Sequence, residues 1–233
     1  MPFLFIDPLY LIIAVGPALL LGGLATLLTK ATFKKYSKIA SDRGFTGAQA
    51  AEEMLRAAGV DGVSIEITGG FLGDHYDPRS RTLRLSEGVH SSRSLSAVGI
   101  ACHEAGHAIQ HARSFAPMWL RTALVPLTNF CSSLYIVPII AGFLMQIKPL
   151  AIVGLVMCGM SLVFALVTLP VEWDASRRAK IAMEEGGLLS GRETRDAGKV
   201  LNAAFLTYVA AVVSALLVLL YWALRLGLLG GDE

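Results

Sequence analysis

Long apolar stretches alternate with polar, charged ones along this chain. Four of the apolar stretches, roughly 4–29, 120–146, 149–171 and 201–229, are long enough to cross a bilayer as helix, which takes about 20 residues. Pro8 and Pro17 fall in the first, where a membrane helix tolerates them better than a soluble one. That stretch has no basic leading segment and its apolar run is too long for a signal peptide, so it reads as a retained anchor. The polar stretch 30–119 shows mixed periodicity. Thr46 and Gln49 have capping-box spacing ahead of an apolar-periodic run from Ala50 to Ala58, which Gly59 closes. Val63, Ile65 and Ile67 alternate with polar residues, as in a half-buried strand. Gly69-Gly70 predicts a turn, and Asp74-His75-Tyr76-Asp77-Pro78 a second turn-like stretch. Thr82 to Ser86 alternates again, with Leu83 and Leu85 on one face. A helix from about Leu95 to Ala112 follows, with serines at 91, 92 and 94 available to cap it. The expected architecture is a mainly α membrane protein, with four transmembrane helices and a small α+β domain.

These patterns divide the chain into a transmembrane anchor (1–29), an α+β domain (30–119), a transmembrane hairpin (120–171), a second polar segment (172–200) and a last transmembrane helix with a short tail (201–233). The link Gln146-Ile147-Lys148-Pro149 is so short that 30–119 and 172–200 are expected on one side of the bilayer. Those two segments carry 11 and 6 of the 20 lysines and arginines, and Lys148 alone lies clearly in a loop on the other side. The positive-inside rule then places both segments in the cytoplasm and both termini outside. Lys30, Lys34, Lys35 and Lys38, just after the first stretch, are the strongest local signal.

Composition agrees with a membrane protein: 54% hydrophobic and 16% charged residues, against about a quarter charged in soluble domains. A net charge of +2 argues against a nucleic-acid partner. Cys102, Cys131 and Cys158 show no CxxC spacing, which argues against a disulfide scaffold. The lipid bilayer is the one partner these features imply, and nothing in them sets an oligomeric state.

The predicted helix at 95–112 contains His103-Glu104-Ala105-Gly106-His107, an HExxH match. Residues four apart share a helix face, so both imidazoles can reach one metal ion, with Zn²⁺ the expected cofactor. Glu104 is then placed to act as general base on a water that zinc activates. His111 continues the same face, but it stands eight residues from His103, or about 12 Å along the axis. Zinc–nitrogen bonds are about 2 Å, so an unbroken helix cannot supply all three ligands. The longer HExxHxxGxxH pattern is absent too, with Gln110 at the glycine position and Arg113 at the last histidine. The third ligand must come from elsewhere. Glu172, at the polar end of the third apolar stretch, is the first candidate and Asp174 the second, while Glu184 and Glu185 read as solvated charges.

The stretches HEAGHAIQH and VEWDASRRA resemble those of the YugP-type membrane zinc metallopeptidases. The resemblance extends over nearly the whole chain. It includes Thr46-Gly47, GFLGDHYDP at 70–78, Leu85-Ser86 and the Glu-x-x-Ala-Ser-x-x-Ala pattern from Glu172. It implies a zincin-like domain and a gluzincin-like protease, with His103, His107 and Glu172 on zinc and Glu104 as catalyst. A looser likeness joins the chain to the HtpX and CAAX-prenyl type membrane proteases. Those carry an aspartate four residues after the glutamate ligand, where this chain has Ser176. The DHYDP stretch, prominent in the resemblance, is expected to serve the cleft. It would offer an edge for a substrate strand, or His75 or Tyr76 as a hydrogen-bond donor to the oxyanion.

The expected function is zinc-dependent hydrolysis of peptide bonds in a polypeptide substrate within or beside the membrane. A zinc-bound structural or regulatory membrane protein is the alternative, and an intact Glu104 argues against it. A transporter would need charged groups in the middle of the second and third apolar stretches, and no Asp, Glu, Lys, Arg or His lies mid-span in either. An intramembrane protease would carry HExxH inside an apolar span, whereas 95–112 is too polar and too flanked by charge to be one.

Overall fold

The structure, a computed structural model, describes residues 7–70 and 73–229. Positions 4–6 of the first apolar stretch, Phe71 and Leu72 of the GFLGDHYDP stretch, and the tail at 230–233 lie outside the described residues. The chain is mainly helical with one small sheet. Among the described residues four helices are long and apolar enough to cross a membrane: Pro8–Tyr36, Ala116–Leu144, Lys148–Glu185 and Gly191–Arg225. Three of these helices outrun their apolar stretches. The first continues through Lys30, Lys34 and Lys35, so the basic cluster sits largely on the helix itself. The 38-residue helix Lys148–Glu185 is about 57 Å long at 1.5 Å per residue. That is nearly twice the ~30 Å of a hydrocarbon core, which leaves several turns for its charged C-terminal half.

The chain packs as two units. One comprises the stretches up to Ala25, Leu120–Leu169 and from Thr207 onward; the other comprises Thr26–Trp119 and Pro170–Leu206. In the first unit, Gly142 and Gly154 bring helices Ala116–Leu144 and Lys148–Glu185 together. A Cβ on Gly142 would lie 2.5 Å from the Ala151 nitrogen, and one on Gly154 2.6 Å from the Tyr135 carbonyl oxygen. Small residues at such crossings allow the close backbone approach on which helix packing in lipid depends. Buried Asp7 caps the first helix through the Leu9 N–H. It also accepts hydrogen bonds from the Tyr221 hydroxyl and the Arg225 guanidinium, so no bare charge is left among apolar groups.

The second unit is built around helix Leu95–Ala112, hereafter the motif helix. It is buried on nearly all sides, as a helix at the centre of a core must be. Ser94 caps its start by accepting from the Ala97 N–H, as the serine run predicts. The backbone at 39–47 pairs with the lead-in residues, through Leu95 N–H to the Ile39 carbonyl and Ser41 N–H to the Arg93 carbonyl. Helix Gly47–Ala57 begins with the predicted capping box, in which Thr46 and Gln49 exchange hydrogen bonds. Gly59 follows at a positive φ of 64°, a conformation glycine adopts without strain.

The sheet has strand order β1-β3-β2, with β1 Ser64–Thr68, β2 His75–Asp77 and β3 Thr82–Ser86. β3 is central and its Leu83 and Leu85 are fully buried, each contributing roughly 1.5–3 kcal/mol by leaving water. Two expectations need correction. The stretch at 74–78 is not simply a turn, because its centre forms β2, antiparallel to β3. Around β1 the half-buried reading holds for Val63 and Ile65, which pack against the core, but not for Ile67, which is 57% exposed.

The second segment of this unit, 170–206, is tied to the first by polar contacts. The Thr29 hydroxyl donates to the Ala203 carbonyl, the Tyr36 hydroxyl to Asp196, and the Asp42 N–H to Glu193. Glu193 also accepts from the Ser190 N–H, which fixes the start of helix Gly191–Arg225.

Candidate metal centre and active site

His103 and His107 sit one turn apart on the motif helix, with Glu104 next to His103. Opposite them runs the stretch of helix Lys148–Glu185 that begins at Val171. There Val171, Glu172, Ala175, Ser176, Ala179 and Met183 are all buried, a three- and four-residue spacing that lays one face against the core. Gly106 makes this approach possible. A Cβ there would meet the carbonyl oxygen of Ala175 at 2.8 Å, so only glycine lets the two helices come this close.

The approach brings Glu172 between the two imidazoles. Nε2 of His103 lies 3.2 Å, and Nε2 of His107 3.5 Å, from Glu172 Oε2. The two rings stand nearly perpendicular, 4.8 Å between centroids. One ligand atom from each of His103, His107 and Glu172 falls within 4.8 Å of the other two, a grouping able to hold a metal ion. Glu172 is only 1% exposed, and a carboxylate that far from water needs cationic or metal partners. Two neutral imidazoles and a carboxylate are a zinc-type donor set that leaves a fourth position open.

The other nitrogen of each imidazole has its own partner. Nδ1 of His103 is 3.1 Å from the Ser176 hydroxyl. Nδ1 of His107 is 3.0 Å from Oε1 of Gln110, a fully buried side chain. The Gln110 amide N–H groups in turn donate to the Val171 carbonyl at 2.8 Å and to Asp174 Oδ2 at 2.9 Å. Asp174, the alternative third ligand, therefore faces Gln110 and accepts from Arg178 at 2.6 Å. Glu184 and Glu185 are exposed. Gln110 is not among the site residues expected from the sequence, although its position three residues after His107 places it on that residue's helix face.

Glu104 is half-buried and touches the sheet, where its Oε2 accepts the Tyr76 N–H at 3.2 Å. Burial raises its carboxyl pKa and the nearby Glu172 and Asp74 charges add to the rise, against the opposing pull of His103 and His107. A raised pKa suits a group that must take and return a proton near neutrality. For His107, burial alone would lower the pKa, but the contacts with Glu172 and Glu104 outweigh it and leave it raised. Asp74 Oδ1 accepts from the backbone and hydroxyl of Ser86, fixing the start of β2.

The two oxyanion candidates separate. His75 is exposed and its ring Nδ1 lies 2.8 Å from the Gly73 carbonyl. Tyr76 points the opposite way into the core, with its hydroxyl 2.8 Å from Nδ1 of His111. His111 thus pairs with Tyr76 and stands apart from the three-residue group.

The family described as "Putative neutral zinc metallopeptidase" matches residues 11–227. "Putative membrane protease YugP" of Bacillus subtilis (strain 168) is 40% identical over 209 residues, covering 90% of this chain and 92% of that protein. No solved structure gives a significant match.

Proposed function

The chain belongs to the family described as "Putative neutral zinc metallopeptidase", and on that premise we propose that it is a zinc-dependent, gluzincin-like endopeptidase of membrane or membrane-proximal proteins. The observation that carries the reading is the convergence of His103, His107 and Glu172 with Glu104 alongside. His103, His107 and Glu172 would hold the ion, which when bound would supply Lewis-acid activation of a water and a carbonyl. Glu104 takes the proton from the attacking water and returns it to the leaving amine. Its contact with the Tyr76 N–H keeps the carboxylate at the edge of β2. β2 pairs with β3 on one side, and its other side is free of any strand among the described residues. An extended substrate can lie along that side by backbone pairing, which brings its scissile bond past Glu104.

The membrane reading draws on the four long apolar helices and on the name of the Bacillus subtilis relative. Glu172 is itself part of a helix whose first half is apolar enough to span. The excess of Lys and Arg in 30–119 and 172–200 supports a cytoplasmic catalytic domain.

The test is cleavage of casein, and self-cleavage, by purified wild type and Glu104→Gln, each with its zinc content measured. Hydrolysis by wild type alone, with zinc in both, is expected. Zinc in both with equal hydrolysis by both would remove Glu104 as the catalyst. Zinc in both with no hydrolysis by either would leave a narrow-specificity protease and a zinc-bound scaffold, which substrate trapping with Glu104→Gln separates.

A further inference from the structure

Ser176 and Gln110 occupy equivalent places behind His103 and His107, but they differ chemically. A serine hydroxyl both donates and accepts, so it suits either tautomer of His103. The Gln110 amide does not have that freedom. Its nitrogen faces two acceptors, the Val171 carbonyl oxygen and Asp174 Oδ2, and its oxygen faces His107 Nδ1. Turning the amide over would place its oxygen against both of those acceptors. The orientation is therefore set by its neighbours, and Arg178 holds Asp174 in place by donating to Oδ2. An amide oxygen accepts only, so the Nδ1 beside it must carry the hydrogen.

We propose that Gln110 is a positioning residue that selects the tautomer of His107, leaving Nε2 bare and aimed at the metal. The inference rests on His107 being a ligand, as proposed above. A ligating imidazole normally gives its other N–H to a carboxylate, carbonyl or water. Here a neutral amide does that work, and the carboxylate behind the amide, Asp174, is paired with Arg178. The arrangement orients His107 without adding a negative charge to a site that already holds Glu104 and Glu172.

The experiment compares zinc affinity, by chelator competition, and the visible absorption of the Co²⁺-substituted protein. The full-length chain is used as wild type, His107→Ala, Gln110→Met, Gln110→Glu and the double variant Gln110→Glu/Asp174→Asn. Melting temperatures show that each is folded. Methionine fills nearly the same space but offers no acceptor of comparable strength. Gln110→Met is expected to bind zinc 10- to 100-fold more weakly and to shift the Co²⁺ bands. Gln110→Glu sets a second carboxylate against Asp174 and is expected to bind weakly too. The double variant returns a donor opposite an acceptor and should recover to within a fewfold of wild type. Wild-type affinity and an unchanged spectrum in Gln110→Met would overturn the proposal, and so would a folded double variant no better than Gln110→Glu. If wild type binds no tighter than His107→Ala, it is the metal-site reading that fails.

Discussion

Gly106 of the motif helix lies directly against the backbone of Ala175, three residues beyond Glu172, with 2.8 Å from where its Cβ would be to the Ala175 carbonyl oxygen. Alanine at 106 would gain up to about 1 kcal/mol of helix propensity but would have to push a backbone aside, at a cost of about 1–3 kcal/mol. The clash wins, and the displaced helix carries Glu172 with it. Gly106→Ala is therefore expected to lower both melting temperature and zinc affinity. Gly99→Ala is the control on the same helix, since a Cβ there meets Ala197 at an ordinary 3.4 Å. It should be neutral or slightly stabilising, and calorimetry of the two variants with a zinc titration checks the contrast.

The Ser176 hydroxyl is 3.1 Å from Nδ1 of His103. Ser176→Ala removes the one side-chain hydroxyl at that nitrogen with little change in volume. Zinc affinity is expected to fall about tenfold with the fold intact, and Ser176→Thr, which keeps a hydroxyl, should retain most of it. Chelator competition measures both.

Asp77 closes β2 and accepts from the Arg79 N–H, the Ser80 hydroxyl and Arg84. Those bonds, led by the one from Arg79, lower its pKa to about 2. A carboxyl whose pKa is lower in the folded than in the unfolded chain adds stability above the ordinary carboxylate range near 3.9 and loses it as pH falls through the folded value. The stability difference between wild type and Asp77→Asn should therefore narrow from about pH 5 to about pH 2. Melting temperatures across that range test it, and a gap independent of pH would show that the charge of Asp77 contributes nothing.

Much of this architecture is legible in the sequence where the signal is local. The motif helix from Leu95 to Ala112, the Thr46–Gln49 capping box and β3 all follow from periodicity and caps within a few residues. β2 does not, because a three-residue edge strand between Asp74 and Pro78 looks like turn chemistry, and only its pairing with β3 makes it a strand. The exposure of Ile67, two residues on from the core-packed Ile65, depends on where the core ends, which alternation alone cannot reveal. The grouping of His103, His107 and Glu172 was open to reasoning from spacing and resemblance. Of the imidazole partners, Gln110 is within reach of the same reasoning, because it lies three residues after His107 on one helix, whereas Ser176 meets His103 only once Gly106 and Ala175 have brought two distant helices into contact.

The proposed role of Glu172, completing a zinc site with His103 and His107, is tested by the zinc-to-protein ratio of purified wild type, Glu104→Gln and Glu172→Ala after loading with zinc and removal of the excess. The expected result is about one zinc per chain in the first two and essentially none in Glu172→Ala. Stoichiometric zinc in a folded Glu172→Ala protein would contradict it.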